Sequence, residues 1–381
     1  MFTSSTLQLL SKQETPLYLY DLALLTDTVE KLKEAAGKYH VHYALKANAA
    51  LPILEVIAEA GLGADCVSGN EVKRALDVGF KASKIAFAGV GKSDKEILLA
   101  LRAGIFAFNV ESMHELQVID QLAAKENLRA KVALRINPNV DAYTHKYITT
   151  GLEENKFGIN AYEFDAVIEL LAGLTHTDFT GLHFHIGSQI LDLSAYRNLC
   201  SKVNEINRWF INKGLVAKHI NLGGGLGVQY KDPDKQLIPD FKSYFLIFKT
   251  YLGPLQDQEI HFELGRSIVA QCGNLISRVL YVKNGINTNF LILDAGMTEL
   301  MRPALYQAYH HIQNISSSEP STKKFDVVGP ICESSDCFGK AVELPPSKRG
   351  DFIAIRTAGA YGAAMSNRYN LRDEVRELFI G

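Results

Sequence analysis

Val41-His42-Tyr43-Ala44-Leu45-Lys46-Ala47-Asn48 is a short apolar run closed by a lysine, and an amphipathic helical pattern, Pro52–Ala60, follows it. The same unit recurs outward along the chain. Further apolar runs stand at Ala64–Ser68, Ile85–Gly89, Phe106–Val110, Val132–Asn137, Gly181–Ile186, Ile220–Gly223 and Ile260–Leu264. Helical patterns such as Asn70–Val78 and Ser112–Leu128 lie between them. Several runs are almost uninterrupted by polar residues, as strands covered on both faces tend to be. Eight strand–helix units predict a closed TIM (β/α)8 barrel over an open doubly wound sheet.

Past Ser267 the periodicity changes. Leu275–Val282, a Lys283-Asn284-Gly285 turn and Phe290–Asp294 read as an antiparallel hairpin, with Asn-Gly suited to a tight turn. Further strands are expected at Phe325–Val328 and Phe352–Thr357, with one short helix at Glu299–Ile312. The opening strand Leu17–Asp21 is expected to pair with this tail. The division is therefore a barrel over residues 22–267 and a β domain, a sandwich or Greek-key-like barrel, from residues 1–21 with 268–381.

Composition removes several function classes. The 381 residues carry 40 basic and 42 acidic side chains, a net charge of −2. That balance lacks the electrostatic footprint of a nucleic-acid or membrane-surface protein. No apolar stretch reaches the roughly 18 residues a membrane span needs. The first ten residues lack a basic segment ahead of an apolar block, so no secretory leader is expected. Five cysteines (66, 200, 272, 332 and 337) are an odd, scattered set. They read as reduced thiols of a cytoplasmic protein.

In a TIM barrel chemistry stands at the C-terminal ends of strands. Strand one ends at Lys46. A desolvated lysine can attack an aldehyde, although one at a barrel rim can also simply reach water. Strand six ends His183-Phe184-His185-Ile186-Gly187-Ser188, with both imidazoles on one face. No HExxH motif or nearby carboxylate completes a metal set there, so no metal is expected. Strand seven runs into Gly223-Gly224-Gly225-Leu226-Gly227, whose N–H groups can close around an anion. Strand eight ends Glu263-Leu264-Gly265-Arg266, an acid and a base at one mouth. Lysine, imidazole, anion pocket and carboxylate together suit pyridoxal 5'-phosphate (PLP), whose ring becomes a strong electron sink when a carboxylate keeps its nitrogen protonated. A phosphate-binding barrel such as a sugar-phosphate isomerase is the competing reading.

Seven motifs in order, YALKAN, HFHIGSQ, GGGLG, ELGR, MRPALY, GPICESSD and AGAY, give a resemblance over almost the whole chain. The chain resembles the alanine-racemase-fold (fold type III) PLP-dependent decarboxylases. The stretch Met297–His310 sets it apart from the ornithine- and arginine-directed members. The resemblance implies decarboxylation of meso-2,6-diaminopimelate to L-lysine and CO2 by a cytoplasmic homodimer with shared active sites. It implies that Lys46 holds PLP, His185 stacks on the ring, and Ser188, Gly224 and Gly225 bind the phosphate. Glu263 would face the ring nitrogen, with Asp65 in support and Gly265 beside the cofactor. Arg266, Arg302 and Tyr306 would hold substrate carboxylates, and Tyr361 would contact phosphate and substrate. Cys332, as proton donor, and Glu333, as substrate contact, would enter from the partner subunit, the β domain thereby contributing to the dimer's site.

Arg302 and Tyr306, four residues apart, share one face if helical, and an arginine fork suits a carboxylate. Read alone, Cys332 is an ordinary small turn residue; the resemblance is what singles it out. The family's usual proline between Glu263 and Gly265 is replaced by Leu264, which frees a backbone donor. His310 and His311 are expected on the solvent side. Rival readings are a carboxynorspermidine decarboxylase of polyamine synthesis, a racemase of the same fold, and a non-catalytic PLP-binding protein.

Overall fold

The strand β1 (Leu17–Asp21) is followed by eight that close into a barrel: β2 (His40–Ala44), β3 (Gly63–Cys66), β4 (Ile85–Phe87), β5 (Ala107–Val110), β6 (Ala130–Ile136), β7 (Thr177–Phe184), β8 (His219–Asn221) and β9 (Glu259–Leu264). The structure, a computed structural model, describes residues 2–139 and 156–381. All eight pairings are parallel, and β9 closes on β2 with His40 opposite His261 and His42 opposite Glu263. Six of the eight expected runs overlap a strand of only three to six residues. Short strands buried on both faces fit a barrel wrapped by helices.

The intervening helices begin and end on local signals. Ser68 accepts from Glu71 N at the start of Gly69–Val78, and Gly79 closes that helix in the left-handed region at φ 102°. Ser93 and Glu96 form a capping box on Asp94–Ala103. Such caps fix where each helix begins, and so where each strand end is delivered.

The chain forms two compact units. The first is Val29–Gly227 with Asp240–Gly265; the second is Met1–Thr28 with Val228–Pro239 and Arg266–Gly381. The excursion Val228–Pro239, in the middle of the barrel stretch, thus belongs to the second unit.

The second unit is built on β10 (Gly273–Asn284), β11 (Asn289–Leu293), β12 (Ile312–Asn314), β13 (Lys323–Val328), β14 (Cys337–Leu344), β15 (Phe352–Ile355) and β16 (Arg376–Ile380). Its sheet runs β12-β15-β10-β11-β13-β14. β1 pairs antiparallel with β10 and parallel with β16. Leu10, Leu17, Leu19, Ile276, Phe352 and Ala354 are buried together under this sheet, which explains why an N-terminal strand is carried by a C-terminal domain.

Three expectations are corrected here. The hairpin does not turn at Lys283-Asn284-Gly285. Lys283 and Asn284 still pair with Phe290 and Asn289, and the reversal is Gly285–Thr288, closed by Gly285 N donating to Thr288 O at 2.9 Å. The helix expected at Glu299–Ile312 spans only Arg302–Tyr306, because Gln307 turns left-handed at φ 53° and Ile312 opens β12. His310, expected at the surface, is 1% exposed, for reasons that belong to the site.

Candidate active site

In the barrel unit, Lys46 sits on a single tight turn, Leu45–Ala47, directly after β2. Its Nζ lies 3.1 Å from Asp65 Oδ2 at the end of β3, and Asp65 is fully enclosed. The second oxygen, Asp65 Oδ1, is buried with no hydrogen-bond partner among the described residues. Burial, then the Glu263 charge, pushes the Asp65 carboxyl up to about 7 against the pull of Lys46. A buried acceptor left unsatisfied beside a reactive amine suits a group that arrives from outside.

Across the interior, Glu263 gathers donors from three other strands. Its Oε1 accepts from Asn109 Nδ2 on β5 at 2.9 Å and from Asn221 Nδ2 on β8 at 2.7 Å; its Oε2 meets His183 Nε2 on β7 at 2.8 Å. Burial would raise this carboxyl, but His183, and then Lys46, outweigh it and hold the pKa well below the carboxylate range. The result is a fixed anion aimed by four strands.

His185 stands two residues beyond His183. Gly224 N donates to its Nδ1 at 3.3 Å, which leaves the imidazole proton on Nε2. Burial, with Arg135 and Lys46 nearby, drives its pKa well below the usual histidine value, so the ring stays neutral and flat. The glycine run beside it permits no side chain. A Cβ on Gly224 would stand 1.8 Å from Glu263 O, and one on Gly225, at φ 104°, 2.6 Å from Gly187 O. Gly265 is similarly hemmed in by Ala44 and Ala47, 3.0 Å from each Cβ. Ser188 is half-buried one residue after Gly187. A flat neutral ring, a glycine cradle, a fixed carboxylate and an amine with an unsatisfied acid fit PLP in shape and charge.

A further buried pair had no sequence signal. Arg135 Nη1 on β6 meets Glu111 Oε1 at 2.6 Å, and Glu111 also accepts from Gly89 N and Gly158 N. It ties three strand-end loops together.

The second unit carries its own cluster. Tyr230 Oη accepts from Arg266 Nη1 at 2.7 Å and from Arg302 Nη1 at 3.0 Å. Burial raises the Tyr230 phenol, but the two guanidiniums outweigh this and the net shift is downward. Arg302 Nη1 also donates to His310 Nε2 at 2.9 Å, while His310 Nδ1 donates to Arg356 O at 2.9 Å. Burial, then Arg302, lowers the His310 pKa to about 3; the ring is a neutral acceptor that aims the arginine, which is why it is inside. Neither partner of Arg302 is an anion, although the residue is only 6% exposed. The Tyr361 ring lies 4.7 Å from the Arg266 guanidinium, and Tyr306, at the far end of the Arg302 helix, is half-buried.

Cys332 and Glu333 stand exposed on the loop between β13 and β14. Asp336, 3% exposed, organises that loop by accepting from Met297 N at 2.6 Å and Ile331 N at 2.7 Å. Tyr369 Oη donates to Glu333 Oε1 at 2.7 Å. Tyr230 and the anchoring role of Asp336 had no sequence signal, because Tyr230 meets Arg266 and Arg302, and Asp336 meets Met297, only once the chain has folded.

Comparison with known proteins gives a consistent result. Residues 22–270 match the pyridoxal-binding domain of the pyridoxal-dependent decarboxylases. A diaminopimelate decarboxylase of Bacteroides thetaiotaomicron is 55% identical over 94% of each chain. One of Aquifex aeolicus is 39% identical over 96% of this chain and 86% of its own. The crystal structure of the Helicobacter pylori diaminopimelate decarboxylase complexed with L-lysine superimposes with a TM-score of 0.93 at 42% identity, covering 99% of this chain and 94% of that one.

Proposed function

The chain belongs to the pyridoxal-dependent decarboxylases, and among them to the diaminopimelate decarboxylases, and we infer from this that it converts meso-2,6-diaminopimelate to L-lysine and CO2. It is a lyase that uses PLP. When bound, PLP supplies an electron-withdrawing ring that takes up the electron pair released as CO2 leaves.

The family's roles carry over to individual residues, and the geometry supports several of them. Lys46 is the attachment point, with Asp65 holding its amine. His185 would present its neutral face to the ring, and the Glu263 carboxylate would accept a hydrogen bond from the ring nitrogen and so keep it protonated. Ser188 and the Gly224–Gly225 backbone receive the phosphate, with Gly265 leaving room for it. Arg266, Arg302, Tyr306 and Tyr361 hold substrate, Arg302 taking the distal carboxylate. Cys332 would supply the proton that Cα takes up in place of the lost carboxylate, and Glu333 would meet the distal ammonium.

The observation that carries the substrate reading is Arg302. A buried guanidinium is costly without an anion, and here its partners are a phenol and an imidazole. A substrate with a second carboxylate satisfies it; ornithine, lacking one, leaves it unsatisfied. Carbon dioxide release from meso-diaminopimelate, carboxynorspermidine and ornithine, measured side by side, tests this. Release from the first alone is expected; greater release from either of the others contradicts it.

The same reading makes the protein a homodimer, with Cys332 and Glu333 acting in the partner's site. Their exposure supports this, as does the exposure of the apolar Leu371 and Tyr369 at 95% and 51%. A cytoplasmic setting is supported by the free cysteines. No helix among the described residues is long and apolar enough to cross a membrane.

A further inference from the structure

At the opposite end of the barrel from Lys46, the first and last strands present a second cluster. Residues 40 and 42 of β2 and 259, 261 and 263 of β9 alternate onto shared faces, and β9 closes on β2 there, His40 opposite His261. One ligand atom each from His40, Glu259 and His261 lie within 4.8 Å of one another. His40 opens β2, whereas Lys46 follows its other end.

Hydrogen bonding fixes the tautomers behind this cluster. Lys84 O can only accept, so His42 Nδ1, 2.9 Å away, donates to it. Neutral His42 therefore offers the lone pair of Nε2 to His261 Nδ1 at 2.8 Å, and His261 Nδ1 must donate. His261 is left with a bare lone pair on Nε2. That lone pair stands 3.3 Å from Glu259 Oε2, another acceptor. Two acceptors facing each other call for a cation between them. A metal-binding imidazole usually donates its other N–H to a carboxylate, carbonyl or water; here His42, anchored on Lys84 O, takes that place.

We propose that His40, Glu259 and His261 bind a divalent transition metal of the zinc type, clipping the first barrel strand to the last. Two imidazoles and a carboxylate are a zinc donor set, with water in the fourth position. His261 is the fixed ligand. Glu259 is exposed, and the exposed His40 ring, stacked on His261 with centroids 4.7 Å apart, turns to bring a nitrogen to the metal. This set has no signal in the sequence, because β2 and β9 become neighbours only when the barrel closes.

The test is a zinc chloride titration of the PLP-loaded enzyme by calorimetry, with melting temperature read in parallel. A Cys332→Ser background removes the exposed thiol. One equivalent of saturable binding and a zinc-dependent rise in melting temperature are expected. His40→Ala and Glu259→Gln, both at exposed positions, should each weaken that binding by at least about tenfold and abolish the rise. In the Cys332 background with no zinc, each should retain its bound cofactor. In the otherwise native enzyme they should retain CO2 release. Binding equal in parent and variants, or no saturable binding by the parent, overturns the proposal.

Discussion

Replacing Arg302 with lysine isolates substrate recognition from cofactor binding. Arg302 is bracketed on Nη1 by Tyr230 Oη at 3.0 Å and His310 Nε2 at 2.9 Å, which leaves the rest of its fork for a carboxylate. Lysine keeps the charge but offers a single nitrogen, so it forfeits the second bond to the carboxylate and the bracketing by Tyr230 and His310. A hydrogen bond involving a charged group contributes about 1.5–3 kcal/mol. Losing one, with looser positioning of what remains, costs about 3 kcal/mol, on the order of a 100-fold fall in kcat/KM for meso-diaminopimelate. Bound PLP, read by its visible absorbance, should stay at the parental level, because its proposed holders are Lys46, His185, Glu263 and the glycine cradle. A kcat/KM within about threefold of the parent, or a loss matched by equal loss of cofactor, refutes the carboxylate role.

Glu263→Gln removes the charge that Asn109, Asn221 and His183 converge upon; kcat should fall by about 100-fold or more with cofactor still bound, read by steady-state CO2 release. Gly224→Ala drives a methyl to 1.8 Å from Glu263 O; backbone must move, and a stability loss of about 2 kcal/mol or more with loss of cofactor is expected in denaturant titration. For Asp65 the sign follows from a folded pKa of about 7 against an ordinary 3.8. Folding favours the protonated acid, so this contribution is present below 3.8 and is lost as pH rises through about 7. Asp65→Asn cannot ionise, and thermal melts of the cofactor-free protein should show the variant gaining on the parent across that window while its activity falls.

Much of this was legible in the sequence, for physical reasons. Strands such as Ile85–Phe87 and Ala107–Val110 are buried on both faces, so they read as apolar runs, and the chemistry stands at or just past the strand ends, as with Glu263 at the end of β9 and Lys46 after β2. Lys46, Glu263 and the glycines after Asn221 were visible on that ground. Asn109 was not singled out, and His183 was read only as one of a pair of imidazoles, since a polar residue inside a strand reveals its purpose only when Glu263 meets it across the barrel. His310 was misjudged because it lies past a helix that ends early, at Tyr306. Its burial follows from β12 beginning at Ile312 and from Arg302 turning toward it. Tyr230 sits in an excursion from the barrel stretch that groups with the other unit, which no local pattern announces.

The central claim is that Lys46 is where the cofactor is joined. Borohydride reduction of the PLP-loaded enzyme, followed by proteolysis and mass spectrometry, tests it most directly. The cofactor's mass should appear on the peptide containing Lys46, and Lys46→Ala should lose both that mass and the visible absorbance. The mass on a different lysine, or absorbance undiminished in Lys46→Ala, would contradict the account.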